Sequence, residues 1–409
     1  MSHNTLIPHL FRTEFSKIIA VICKSYGLQN IQAAEDIVSE TFLAASETWG
    51  LKGTPDNPQA WLYQVAKNKT KDYLKRKILF REKITPNLSH NDSQNPVDDI
   101  NLSENNITDS QLQMLFAVSN PILPPEAQTA LALRVLCGFG INEIALAFLS
   151  NKQSINKRLL RAKQKLRDNK VEMVMPDKNE LANRLSSVLA TIYLLFNEGY
   201  YSTTSEVKIK RDLCFEAMRL LVLLLNYPPA NLPKCNALMA LMCFQASRFD
   251  ARLDESGEII LYENQNREKW DFELIEQGEY YMNQSANGDV ISKYHLQAAI
   301  AFWHTRVEDE TGKWENILQL YNQLLQIQYS PIAALNRTFA LSKVKGKKQA
   351  IKEALKIDLK DYHLYQSLLA ELYTDLDKKK AKQHWQMAFD LANTEGERKV
   401  IKKKIMACG

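Results

Sequence analysis

The chain has 409 residues, 45% of them hydrophobic and 24% charged, with a formal net charge of +5; this is material for two or three domains with full cores and excludes a small stapled scaffold. No apolar run reaches the roughly 18 residues that span a bilayer, and the opening MSHNTLIPHLFRTEF lacks a secretory core, so a cytoplasmic protein with no membrane partner is expected. The six cysteines are scattered without a C-x-x-C pair, and no His pair shares a helical face with them, which predicts reduced, mostly buried thiols and no metal site.

Taken in order, every predicted element is helical. Over residues 8–27, Leu10, Phe11, Phe15, Ile18, Ile19 and Ile22 share one face before Gly27 ends the helix. A second helix starts near Ile31, where AAEDIVSETFLAASETW sets Ile37, Phe42, Ala45 and Trp49 among carboxylates. Asp36 and Glu40, four residues apart, are neighbours there and repel by a few tenths of a kcal/mol unless a cation meets them; a solvated acidic face would have the same pattern. The Pro- and Gly-marked loop LKGTPDNPQ follows, and then residues 61–83 hold eight basic and two acidic side chains interleaved with Trp61, Tyr63 and Tyr73. Aromatic faces beside cations suit single-stranded DNA; the competing reading makes Trp61, Leu62, Val65 and Ala66 a core stripe with solvated lysines.

Residues 84–109 contain five acids and no Lys or Arg, and predict a flexible tether too polar to pack. From Leu123 to Arg167 come three short helices. Pro124 and Pro125 suit a first turn, Glu126 favours the positive end of the dipole, and Gly138 and Gly140 break the helix after about Cys137. Ile141, Ile144, Ala145 and Phe148 form the stripe of the next helix, and Ser150 and Asn151 a polar turn. On the last helix Ile155, Leu159, Ala162 and Leu166 form one apolar face, while residues 152–170 carry eight basic side chains and one acid. This is the pattern of a helix-turn-helix whose basic helix enters a major groove. The excess charge lies at the front: residues 1–170 are net +5 and the remainder is neutral.

These segments, in this order, resemble a sigma factor of the extracytoplasmic-function type in the sigma-70 family. DIVSETF (36–42) resembles the region 2.2 helix that docks on polymerase, AWLYQVAKN (60–68) resembles regions 2.3 to 2.4, and LPPEAQTALALRVLCGFGINEIA with NKRLLRAKQKLR resembles region 4. The resemblance implies an all-α chain: sigma region 2 over 1–83, an acidic linker over 84–110, a region 4 helix-turn-helix over 111–172, and a helical, tetratricopeptide-like (TPR-like) extension over 173–409. It implies core RNA polymerase, through its β′ and β subunits, and promoter DNA, duplex and melted, as partners. Asp36 and Glu40 would meet basic groups of the polymerase, with Phe42 packed beneath; where Ser39 stands the family pattern often has Gln. Thr54 and Asn57 would hold a base flipped from the minus-ten element, with Trp61, Lys67, Asn68 and Lys71 lining the melted strand. For the minus-thirty-five element the outward positions are Lys152, Gln153, Asn156, Lys157, Leu160, Arg161 and Gln164; Asn and Gln can read adenine edges. Leu160 would meet a thymine methyl or a domain interface. The linker's acids resemble tethers that thread the RNA exit channel.

In the extension, Tyr365, Leu368, Leu369, Leu372, Ala381, Trp385 and Ala388 have the spacing of one TPR helix pair, and Leu341 and Ala350 stand 31 residues before Leu372 and Ala381. LLFNEGYY (194–201) and ARLDESGEIILYENQNREKWD (251–271) resemble signatures of one sigma-factor group. Their polar residues Asn197, Glu198, Arg252, Asp254, Asn266 and Arg267, with Arg248 just ahead of the second stretch, could form a ligand or partner pocket or tie loops together; Asp254 and Gly257 read as a turn. With no triad spacing and no phosphate-cradling glycine loop, neither an enzyme nor a bound cofactor is expected, and the carboxylate pair Asp254–Glu255 lacks a separated second site for sugar chemistry. The alternative to a sigma factor whose extension regulates it in cis is a helix-turn-helix activator with a TPR ligand- or partner-binding domain. Such an activator has no use for DIVSETF or AWLYQVAKN.

Overall fold

The computed structural model describes residues 3–84, 100–148, 150–200, 207–252, 260, 264–306, 312–392 and 395–407. Among them every regular element is a helix, so the all-α expectation holds. The chain divides into two compact units, one of residues 1–204 and 209–230, the other of residues 205–208 and 231–409.

In the first unit α1 (His3–Tyr26), α2 (Ile31–Lys52) and α3 (Pro58–Ile84) pack around the fully buried Phe15, Ile18 and Ile19 of α1. Trp49 of α2 is buried edge-on to Trp61 of α3, with ring centroids 5.3 Å apart. α4 (Glu104–Val118) lies along α1. This corrects the tether expected over 84–110: residues 85–99 lie outside the described residues, but packing resumes at Ile100, which is buried with Val21 and Ile107 against Tyr26, Tyr63 and Leu102. Lys24 of α1 fixes the start of α4 through Asn106 (2.9 Å) and Asp109 (3.0 Å).

Three short helices follow as the spacing predicts: α5 (Pro125–Leu136), α6 (Ile141–Ala147) and α7 (Lys152–Asp168). The α5–α6 turn depends on Gly138, at φ +67°, where an added Cβ would sit 3.4 Å from the Arg12 carbonyl of α1; the left-handed backbone and the close approach both favour glycine. The Glu143 carboxylate accepts from the Gly140 N–H (2.7 Å) to begin α6, and the Asn151 side chain accepts from the Ser154 N–H (2.8 Å) to begin α7, each satisfying a helix-start donor. α8 (Lys178–Tyr200) and α9 (Val207–Leu225) belong to this unit too, although the sequence groups them with the extension. α8 buries Leu185, Val188, Leu189, Ile192, Leu195 and Phe196.

The second unit begins with α10 (Pro233–Ala246), apolar all round and buried along nearly its whole length, as a central helix must be. After the single turn α11 (Phe249–Arg252), α12 (Phe272–Ser285) and α13 (Lys293–Trp303) cover α10. Gly278 lets α12 approach so closely that a Cβ there would lie 2.6 Å from the Phe244 ring. The remaining helices, α14 (Lys313–Ile327), α15 (Pro331–Lys345), α16 (Lys347–Ala354), α17 (His363–Tyr373), α18 (Lys378–Leu391) and α19 (Glu395–Ala407), each pack on the next. The 31-residue offset places Leu341 and Leu372, and Ala350 and Ala381, in matching buried positions. Among the described residues no helix is long and apolar enough to cross a membrane, and five cysteines, Cys23, Cys137, Cys214, Cys235 and Cys243, are free and buried.

Candidate polymerase and promoter interface

Three consecutive turns of α2 sort their carboxylates by face. Asp36 and Glu40 are exposed on one side, while Phe42 is buried on another, its ring 5.0 Å from that of Phe11. The Glu40 carboxylate is met by Lys69 of α3 at 3.0 Å, and Gln32 donates to Asp36 at 3.5 Å, so their mutual repulsion is partly answered within the chain. Between α2 and α3 runs an open groove of about 710 Å³, with Asp36 and Glu40 on one wall and Lys69, Tyr73, Arg76 and Lys77 on the other. Sequence reasoning did not name Lys69, Arg76 or Lys77 as site residues; the signal was the unmatched acid pair on α2, which called for a cationic neighbour.

At the other end of α3, Thr54 and Asn57 are exposed in the preceding loop, and the Asn57 side chain accepts from the Ala60 N–H at 2.9 Å. Asn57 is thereby the cap of α3, its side-chain carbonyl engaged by the first turn. Trp61 is half-buried, packed edge-on against Trp49. Asn68 is exposed and accepts from Gln64 (3.2 Å), while Lys67 and Lys71 are half-buried. Trp61, Asn68 and Lys71, at steps of seven and three, fall on one helical stripe. Nearby, burial and the hydrogen bond donated to Glu14 (2.6 Å) push the phenol of the half-buried Tyr63 up.

On α7 the division is clean. Ile155, Leu159, Ala162 and Leu166 are buried, whereas Lys152, Gln153, Asn156, Lys157, Leu160, Arg161 and Gln164 are all exposed, Leu160 at 63%. A basic face with amide side chains and one apolar residue is what major-groove base edges accept. Arg158, between the faces, lies 5.5 Å over the Phe148 ring. Lys163 turns back to the body of the unit and bonds Glu35 and Gln32 of α2, while Lys165 and Arg167 are exposed.

The polar residues singled out in the extension are divided between the two units. Asn197 and Glu198 lie on α8 in the first unit; burial raises the Glu198 carboxyl, against the opposing charge of Arg158. In the second unit Asn266 caps a short 3-10 turn by accepting from the Glu268 N–H (3.0 Å), and Arg267 donates to the Thr305 carbonyl (3.2 Å) and stacks on Trp270. These last two tie loops. Asp254, Glu255 and Gly257 lie outside the described residues. Near Arg248, burial together with the charges of Arg248 and Lys313 holds the His304 imidazole down at about 3, neutral at any physiological pH.

Residues 13–78, from α1 through most of α3, match the family described as sigma-70 region 2. The chain is also similar, at 25% identity over 143 residues, to the ECF RNA polymerase sigma-E factor of Haemophilus influenzae, covering 34% of this chain and 75% of that one. The chain therefore carries a sigma-70 region 2 domain. A second relative is an uncharacterized protein of Rhizobium meliloti, 34% identical over 384 residues, which cover 92% of this chain and 90% of that one. The two therefore belong to one family along nearly their whole lengths, extension included. Residues 184–286 match DUF6596, described as a family of unknown function, a stretch that runs from α8 to the end of α12. No solved structure matches the chain.

Proposed function

We propose that this chain, which carries a sigma-70 region 2 domain, is a sigma factor that directs promoter recognition, strand opening and transcription initiation, and that its extension controls it in cis. In this reading Asp36 and Glu40 dock on the polymerase β′ subunit, the stripe of Trp61, Asn68 and Lys71 with Lys67, Thr54 and Asn57 engages the melted strand, and α5–α7 act as the helix-turn-helix that reads the upstream element. The TPR-like unit offers a ligand or partner surface, and the chain acts by binding rather than catalysis.

The observation that carries control in cis is how α8 and α9 are joined to α4 and α5. Arg184 donates to the Phe116 carbonyl (2.8 Å), Ser187 to the Ser119 carbonyl (2.7 Å), Thr191 to the Gln128 side chain (2.8 Å) and Arg219 to the Leu136 carbonyl (2.7 Å). The last-turn carbonyls of a helix have no intrahelical partner and carry the negative end of its dipole. Here two arginines of the extension occupy those positions on α4 and α5, so any movement of the extension's first helices is felt by the DNA-reading module. In vitro transcription with core polymerase and a randomised promoter library is the test. The expected result is enrichment of a two-block motif, and Arg219→Met is expected to change transcript yield while leaving polymerase affinity as it was. Binding of duplex DNA with no polymerase-dependent transcript would instead favour an activator.

A further inference from the structure

The neutral total beyond residue 170 conceals a division within the second unit. Residues 231–342 hold nine basic and fifteen acidic side chains, whereas residues 343–409 hold sixteen basic and nine acidic. In the basic half, consecutive helices joined by short turns run antiparallel, so the ends of α15, α17 and α19 and the starts of α16 and α18 share one edge of the stack. Two ion pairs hold that edge together: Lys347, opening α16, bonds Asp375 in the α17–α18 turn, and Lys404 of α19 meets Glu371 of α17 at 3.4 Å. Lys343 and Lys345 close α15, Lys347 and Lys348 open α16, Lys378, Lys379 and Lys380 open α18, and Lys402, Lys403 and Lys404 lie toward the end of α19. Of these ten, eight are exposed. Among the described residues they stand against three carboxylates, Glu371, Asp375 and Asp377, each paired with one lysine. At the opposite edge acids outnumber bases, as in the α16–α17 turn, where Glu353, Asp358 and Asp361 stand with Lys356 and Lys360.

Helix stability accounts for only part of this clustering. Cations in a last turn are favourable, which suits Lys343, Lys345 and Lys404, but the five lysines that open α16 and α18 sit at the positive ends of their dipoles, with no acid in either first turn. The 31-residue offset repeats the arrangement, setting Lys347 and Lys348 at the positions of Lys378 and Lys379. Charge that opposes its own helix and recurs in register is explained by an anionic partner. All ten cations are lysines, point charges suited to phosphate, whereas protein interfaces favour arginine and aromatic anchors and are poor in lysine. A bilayer is disfavoured because Ile401, on the apolar face of α19, is already buried with Trp385 and Ala388. A single strand needs open rings, yet Tyr373 is stacked on His384, with centroids 5.6 Å apart, and lies 5.3 Å under Lys380. We propose that this edge of the second unit binds the phosphate backbone of duplex DNA, without regard to sequence and in addition to the faces of α3 and α7. Two helix steps, α15 to α17 and α17 to α19, make the edge about 20 Å long at 8–10 Å each. Over that length a duplex presents about twelve phosphates.

This inference goes beyond the sigma-factor reading and does not rest on it. Acetylation of lysines in the full chain, with and without a short duplex of arbitrary sequence and read by mass spectrometry, locates the contact. Lys348, Lys378, Lys379, Lys402 and Lys403 are expected to be protected several-fold, and Lys356 and Lys360 on the opposite edge to react as before. Binding isotherms on the same duplex, with Lys157→Gln and Arg161→Gln present to weaken the α7 face, measure the contribution. There Lys348→Gln with Lys379→Gln should reduce the salt slope by about 1.8, the worth of two phosphate contacts. Lys356→Gln with Lys360→Gln makes the same change in net charge and should leave the slope where it was. Because the dipole disfavours both Lys348 and Lys379, their replacement should raise the thermal unfolding midpoint, which separates a lost contact from lost structure. Equal protection on the two edges, or equal slope changes from the two pairs, overturns the proposal. So does stronger protection by phosphatidylserine vesicles or by a single strand than by the duplex.

Discussion

Residues 61–83 of α3 and residues 152–170 around α7 each hold eight basic side chains, and each helix buries one stripe: Leu62, Ala66, Thr70 and Leu74 on α3, Ile155, Leu159, Ala162 and Leu166 on α7. They differ in what the cations face. On α7 the charged side looks to solvent, and Lys163 turns inward to Glu35. On α3 the neighbouring helix is acidic, so Lys69 meets Glu40 and Lys77 donates to Asn30 (2.8 Å), and Trp61 leans on Trp49. A count of basic residues thus measures the charge available to nucleic acid only where no carboxylate helix packs alongside. By that measure α7 presents its charge to solvent first and packs second, and α3 does both at once.

The contrast requires that α7 be seated by its apolar stripe and the inward Lys163, and not by its outward cations. Leu159→Ala tests this most severely, because a fully buried leucine removed from a packed stripe costs about 3 kcal/mol. The full chain should show that loss in denaturant unfolding of its first unit, with α7 amides losing hydrogen-exchange protection first. A loss below about 1 kcal/mol would mean that the outward cations contribute to holding α7 in place, and the distinction from α3 would fail.

A smaller effect separates the residues of the exposed face. Asn156→Ala should weaken preference at one base pair by roughly 1 to 3 kcal/mol, whereas Lys157→Ala should weaken all duplexes alike and reduce the salt slope by about one phosphate's worth. Binding isotherms at several salt concentrations distinguish them. Equal loss on every sequence from both substitutions would show that α7 lies on the backbone rather than in the groove.

How much of this was legible depended on the range of the interaction. The outward set on α7 follows from a 3.6-residue period within 17 residues, and each member stands where the pattern placed it. Glu35 could not be distinguished from Asp36 in sequence, because its partners lie 99 and 128 residues away. The start of α4 was hidden by composition: in a polar stretch Ile100, Leu102 and Ile107 are few, yet they suffice because α1 offers them Val21 and Tyr26. In the extension the 31-residue spacing located matching buried positions, but the assignment of α8 and α9 to the first unit rests on side chains such as Arg184 and Arg219 reaching carbonyls 68 and 83 residues away. No local period encodes that.

The smallest expected effect bears most directly on α3. Lys69 and Glu40 are 31% and 62% exposed, and exposed pairs of this kind couple by about 0.2 to 1 kcal/mol once solvent screening is counted. A double-mutant cycle on unfolding with Glu40→Gln and Lys69→Met should fall in that range. Such weak coupling is what a docking site needs, since a polymerase cation replacing Lys69 then loses little by displacing it. Glu40→Gln should therefore weaken polymerase binding, while Lys69→Met, which uncovers the carboxylate, should leave that binding intact or strengthen it. Coupling well above 1 kcal/mol, or Lys69→Met and Glu40→Gln weakening polymerase binding equally, would mean that the pair is a structural brace. The cations of α3 would then be committed to the fold, and of the two only α7 would remain as an open charged surface.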